Sequence, residues 1–328
     1  MTVLVTGATG FIGSHLVDAL LERGLPVRCI VRRQSNRRWL EGKPVELVEA
    51  SLTEPDSLPR AVAGVEVVYH VAGLIAARSF EEFLRGNRDA TANLITALLR
   101  HAPNLRRFVF LSSLAAVGPA ASLAEPVTEE TPPHPLTAYG KSKRAAEEVV
   151  LSAAAELPVT IVRPPAVYGP RDAATLPFFR SVRFGIAPLI GFRTKYLSLI
   201  HVRDLVHGIL LAAEAECAVG RTYFISSEEF YTWEQLVEAA REALGRRRVV
   251  RLRVPHALVM GLATVAEVAG WVSRRPPVFD FEKGRDIIQP YWICSTERAR
   301  TELGYRQRIG LAEGMFETVC WYREHGWL

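Results

Sequence analysis

Cysteine is scarce in this 328-residue chain: Cys29, Cys217, Cys294 and Cys320 are scattered, with no CxxC spacing. That usage excludes a disulfide-stapled scaffold, gives no reason to expect a bound metal, and fits a reducing compartment. A basic leader followed by a long apolar run is also missing. The chain reads as a strand from Thr2, so a cytoplasmic location is expected. No apolar run reaches the roughly 20 residues that a membrane span needs. The nearest, "HALVMGLATVAEVAGWV" at 256–272, is short and interrupted by Glu267. Repeats and low-complexity segments are absent. The charge of +5 and pI near 9.1 come from dispersed arginines, with no basic stripe or aromatic-basic module, so nucleic acid is not an expected partner.

What is present is a large apolar fraction, 49% hydrophobic residues against 23% charged, enough to bury a sizeable core. "TVLVTG", a helical run ending at Gly24 and "VRCIV" make a β-α-β unit. Strand-like runs recur at 45–50, 65–73, 107–113 and 159–164, with helical runs near 57–63, 81–102 and 139–155. This alternation predicts an α/β fold with a doubly wound parallel sheet. Residues 1–165 and 198–226 are expected to form the dinucleotide-binding domain. Residues 166–197, Gly- and Pro-punctuated, and 227–328, mostly helical, should form a smaller substrate-binding region. The 256–272 run is expected as a buried helix of that region, with a lipophilic channel wall or a weak membrane-surface contact as alternatives.

"GATGFIG" sets Gly7, Gly10 and Gly13 between the first strand and the first helix. Side-chain-free positions allow the backbone close to a pyrophosphate, and the helix N-terminus presents N–H groups to it. About 20 residues on, where a carboxylate would read a ribose hydroxyl, the chain carries Arg32 and Arg33. Guanidiniums there suit the 2′-phosphate of NADP, with NAD as the alternative. Ser35, Arg37 and Arg38 lie close enough in sequence to join that pocket.

"TAYGKSK" at 137–143 places Tyr139 and Lys143 four residues apart at the start of a helical run, on one face. A phenol near pH 10 needs its pKa lowered to exchange protons at neutral pH, and a neighbouring ammonium acts in that direction. Taken with "TGATGFIG", "FVFLSSLAAVG" at 108–118, "VRPPAVYGP" at 162–170 and "LIHVRDLVHGI", the chain resembles the extended short-chain dehydrogenase/reductases along nearly its whole length. The resemblance implies that Ser113, with Ser112 as the alternative, holds a substrate oxygen, that Tyr139 exchanges its proton, and that Lys143 holds the nicotinamide ribose. It implies cofactor contacts from Gly7, Thr9, Gly10, Phe11, Ile12 and Gly13, from Ala72, Gly73 and Pro164, and from Tyr139 and Lys143. Asn87 matches an Asn of the family that serves either as a structural anchor or in the site. A homodimer packed through helices near 88–101 and 139–155 is also implied.

The family divides between ketone reductases and nucleotide-sugar epimerases or dehydratases. Where the sugar-nucleotide enzymes commonly carry Asn and Arg, this chain has Ala166 and Leu197, which would leave buried polar atoms of a sugar nucleotide short of partners. The expectation is an NADP-dependent oxidoreductase interconverting a ketone and a secondary alcohol on a fairly apolar small molecule. An epimerase or dehydratase is the alternative, and a non-catalytic NADP-binding scaffold a third.

Overall fold

The computed structural model describes residues 1–273 and 281–328, and side-chain surroundings outside 267–280. Strands and helices alternate through the first half: β1 (Val3–Thr6), α1 (Phe11–Glu22), β2 (Val27–Val31), β3 (Val45–Glu49), α2 (Pro59–Val62), β4 (Val67–His70), α3 (Phe80–Leu84), α4 (Ala90–His101), β5 (Arg107–Leu111), α5 (Ala138–Ser152) and β6 (Val159–Arg163). Then come β7 (Ala166–Tyr168), α6 (Leu176–Arg183), β8 (Ile186–Ile190), β9 (Tyr196–Leu197), β10 (Leu199–His201), α7 (Val202–Glu214) and β11 (Thr222–Phe224). The remainder is β12 (Tyr231–Thr232), α8 (Trp233–Ala243), β13 (Val250–Val254), α9 (His256–Ser273), α10 (Phe281–Ile287), β14 (Tyr291–Trp292), α11 (Glu297–Glu302) and α12 (Leu311–Glu324).

Seven strands form one all-parallel sheet in the order β11-β6-β5-β4-β1-β2-β3. This is the expected doubly wound Rossmann fold, and its strand order reverses between β1 and β4, where a ligand crevice opens. Helices cover both faces, so β1, β4, β5 and β6 are buried at every position and read as continuous apolar runs. The edge strand β3 exposes Glu46, Leu47 and Glu49. One face packs Leu16, Leu20, Leu205 and Ile209 against the sheet. The other packs Leu58, Leu94, Leu98 and Val150. Each such buried aliphatic side chain contributes roughly 1.5 to 3 kcal/mol.

Three differences from the expected elements have physical causes. The helical run at 81–102 is interrupted by a wider π-turn, Arg85–Asp89, that carries Asn87 inward. Within 166–197, read as loops, β8 pairs in parallel with β13; Pro188 masks the strand signal yet is tolerated in a short two-stranded ladder. The helix expected to be buried, α9, is instead largely exposed over its described side chains, 256–266. Only Val259 and Ala263 of its first three turns are buried, whereas Leu258, Leu262 and Val265 are 54%, 55% and 67% exposed. Its packing partner is the short α10, where Gly284 lies against Met260 and Ala263 and covers a single stripe. The side chain of Glu267 lies outside the described residues. No helix among the described residues is long and apolar enough to cross a membrane.

The C-terminal segment also reaches the main sheet. Ala299, Leu303 and Tyr305 pack into the cluster beneath it, and Asp204 of "HVRD" accepts from the backbone N–H groups of Arg308 and Ile309. Helices α8 and α12 form a separate cluster through Leu236, Ala240, Met315, Val319 and Tyr322.

Candidate active site

The glycine loop closes tightly at the end of β1. Gly7 has φ +71° and its carbonyl accepts from Gly10 N at 2.9 Å. A Cβ on Gly13 would sit 2.1 Å from Gly7 O, and one on Gly7 would sit 2.7 Å from Ala72 N, so neither position accepts a side chain. Gly10 is the N-cap of α1, and neither a side-chain cap nor a first-turn carboxylate meets the helix N-terminus. This loop and open helix end fit the pyrophosphate of a dinucleotide. Thr9, Phe11 and Ile12 are half-buried along the same turn.

At the end of β2 the backbone folds back, with Ser35 Oγ accepting from Arg32 N at 3.1 Å and Arg32 O from Ser35 N at 2.9 Å. The Arg32 and Arg33 side chains are exposed there. Arg37 pairs with Glu49 at 3.8 Å, and Arg38 lies 4.2 Å above the Trp39 ring and 5.3 Å from that of Trp327, so both are engaged elsewhere.

Across the crevice, Thr6 Oγ1 accepts from Ala72 N at 3.2 Å and bonds His70 Nδ1 at 2.7 Å, while His70 Nε2 meets Thr91 Oγ1 at 3.0 Å. Burial lowers the His70 pKa to about 3, so the ring is a neutral tie between β1, β4 and α4. Gly73 lies beside Lys143, whose Nζ is 3.7 Å from the place a Cβ would take. Asn87 is buried. Its Oδ1 accepts from Leu74 N at 2.7 Å, and its Nδ2 donates to Leu74 O at 3.1 Å and Ser142 Oγ at 2.8 Å. Asn87 therefore anchors the loop after β4 to α5.

Helix α5 starts at Thr137, whose hydroxyl accepts from Gly140 N at 3.1 Å. A Cβ on Gly140 would come 2.3 Å from Ala115 O. This glycine lets α5 close onto the turn Leu114–Ala116, for which Ser113 is the N-cap, its hydroxyl accepting from Ala115 N at 3.1 Å. The close approach brings Ser113 and Tyr139 together in the wall of one cavity. Ser112 is buried behind it, and Pro164 O accepts from Leu114 N at 2.8 Å.

The electrostatics differ from the expected ones. Burial raises the Tyr139 pKa; the Ser113 hydrogen bond opposes this, and Asp286 adds to it. Lys143 is 3% exposed, donates to Leu111 O at 2.7 Å and lies 4.3 Å from the Phe110 ring centroid. Burial lowers its own pKa to about 8, with Glu147 acting in the other direction. Desolvation is the largest influence on the phenol, and Lys143 is not among the groups that act on it, so the lowering expected from spacing alone is not seen.

Several participants were not legible as such. Glu147, one turn beyond Lys143, is fully buried and pairs bidentately with Arg163 at 2.8 and 2.7 Å, bolting α5 to β6. The continuation of the Tyr-Lys spacing to a third position at i+8 was its one available signal. Glu282 of α10 accepts from Ala138 N, in the first turn of α5, at 2.6 Å. A cavity of about 320 Å³ opens beside Ser113, Thr137 and Tyr139, walled by Leu114, Pro165, Ile287, Trp233 and Trp292, with Lys195 and Asp286 as its charged members. Ala166 and Leu197 both line it. These walls come from segments distant in sequence, so no local motif announces them.

Comparison with known proteins agrees with this architecture. Residues 3–226 match the NAD dependent epimerase/dehydratase family, and the chain belongs to it. Over 99% of its length it is 36% identical to a ceramide reductase of Caulobacter vibrioides, covering 96% of that protein. It is 33% identical to sterol demethylase protein B of Methylococcus capsulatus, with 99% of each chain covered. The crystal structure of gox2253 superimposes with a TM-score of 0.83 at 28% identity, over 100% of this chain and 99% of that one. The chain is an NAD(P)-dependent oxidoreductase of the extended short-chain dehydrogenase/reductase type.

Proposed function

We propose that the protein is an NADP-dependent reductase that interconverts a ketone and a secondary alcohol on a fairly apolar small molecule, with Ser113, Tyr139 and Lys143 as its catalytic set. The observation that carries this reading is the largely apolar cavity that opens on both Ser113 and Tyr139. Bound nicotinamide supplies or takes the hydride. Ser113 orients the substrate oxygen, and Tyr139 donates its proton to that oxygen in reduction or accepts it in oxidation. The Tyr139 phenol, its pKa raised by burial, is the proton donor in the reductive direction. Lys143, between Gly73 and the end of β5, is the residue to hold the nicotinamide ribose. Arg32 and Arg33, exposed and without a side-chain partner among the described residues, support a 2′-phosphate and hence NADP.

The names of the ceramide reductase and sterol demethylase relatives support a lipid-like substrate. The exposed Leu258, Leu262 and Val265 support a weak membrane-surface contact, and the exposed Leu99 and Leu151 on α4 and α5 support a dimer through those helices. The epimerase reading keeps the family's name behind it, but Ala166 and Leu197 give its cavity two fewer polar partners.

The test is Tyr139→Phe, assayed by NADPH oxidation with a panel of long-chain and alicyclic ketones. Turnover should fall by roughly 10² to 10⁴-fold, the scale of lost general acid catalysis, with NADPH affinity unchanged within about twofold. A variant that keeps most of its rate rejects the assigned role. Conversion of a nucleotide sugar to its epimer without change in cofactor absorbance favours the alternative.

A further inference from the structure

Among the described residues Lys195 is the one buried cation in the wall of the proposed substrate cavity, and the chemistry proposed above leaves it unused. It is 5% exposed and immediately precedes β9. Its Nζ donates one hydrogen bond, to Ile287 O at the end of α10, at 2.7 Å. An ammonium carries three N–H donors, and this one uses a single donor on Ile287 O, with Asp286 as the other charged residue described in the same wall. Burial holds its pKa down to about 8, so it remains mainly protonated at neutral pH. A buried charge without a counter-ion is costly unless a ligand supplies the partner.

We propose that Lys195 is an anion-binding subsite of the substrate cavity, and that the substrate is an apolar ketone carrying a carboxylate which pairs with it. A single compact ammonium, with no arginine among the described cavity residues, suits a carboxylate better than a phosphate or pyrophosphate, which call for several converging donors. The rest of the ligand would lie along Trp233, Trp292, Leu197 and Ile287. Bonding to the end of α10 orients the ammonium and consumes only part of its donor capacity. This inference rests on the cavity being the substrate site, and so deepens the reductase reading.

The test measures binding, which separates it from turnover. Calorimetric titration of the NADP-loaded enzyme with decanoate and with methyl decanoate should show the acid binding about tenfold tighter or more, the scale of a charge-assisted hydrogen bond. Lys195→Met should erase the preference while ester and NADP affinities stay unchanged, and Lys195→Arg should restore most of it. Equal affinity of the wild type for acid and ester, or no binding of decanoate, overturns the inference. So does a Lys195→Met variant that loses acid and ester together, which would reduce Lys195 to a cap of α10. Tyr139→Phe should keep the acid preference, so a failure of the catalytic assignment and a failure of this subsite give different results.

Discussion

The two halves of the molecule are held by different means. In the half that carries the main sheet, contacts run to backbone atoms that neighbouring motifs specify: Gly13 against Gly7, Gly140 against Ala115, and the Asn87 side chain across the gap to the Leu74 backbone. In the substrate-facing half, short ladders such as β8 with β13 and half-covered helices such as α9 enclose a cavity whose walls come from distant segments. Rigidity is concentrated where a cofactor common to many enzymes would sit, and side-chain variety where a particular substrate would.

If that contrast holds, the first half should be the less forgiving. The largest effect is expected at Glu147→Ala, which strands Arg163 in the interior. Loss of one partner of a buried pair costs about 3 to 5 kcal/mol, read as a lower midpoint in urea, while truncating the exposed Leu262 on α9 should cost well under 1 kcal/mol. Similar losses at both sites would break the comparison.

Next in size is the acid response. His70 titrates near 3 in the fold against about 6.5 when unfolded. Because the folded pKa is the lower one, its contribution is present above pH 6.5 and is lost as pH falls towards 3, by about 2 kcal/mol at pH 5. His70→Asn should flatten this part of the stability profile, and an unchanged slope would remove His70 from the account. The smallest expected effect is at the cofactor's edge, where Arg32→Asp should weaken NADP binding about tenfold while leaving NAD within about twofold. Equal losses for both would mean that Arg32 does not read the 2′-phosphate.

The fold was legible because a parallel sheet covered on both faces leaves continuous apolar runs, and because Gly24 and Pro26 punctuate the first unit. The members of the candidate site were legible where one local turn carries them, as in "GATGFIG" and "YGKSK". Lys195, Glu282 and Trp292 were not, since each enters the site through tertiary packing and carries no neighbouring signature. The burial of α9 was misjudged because composition reports how apolar a helix is and not how much partner surface waits for it. The tuning of Tyr139 was misjudged for a related reason: spacing sets Lys143 on the same helix face but does not report burial, which is the largest influence on the phenol.

The bond from Glu282 to Ala138 has an architectural corollary. A fragment ending at Ser226 would keep all seven strands of the main sheet and the entire YxxxK helix, yet that helix would begin with an orphaned amide. The last hundred residues are therefore not an appendage to the main sheet: they finish a helix that starts far upstream and, through Ala299, Leu303 and Tyr305, fill the core beneath that sheet.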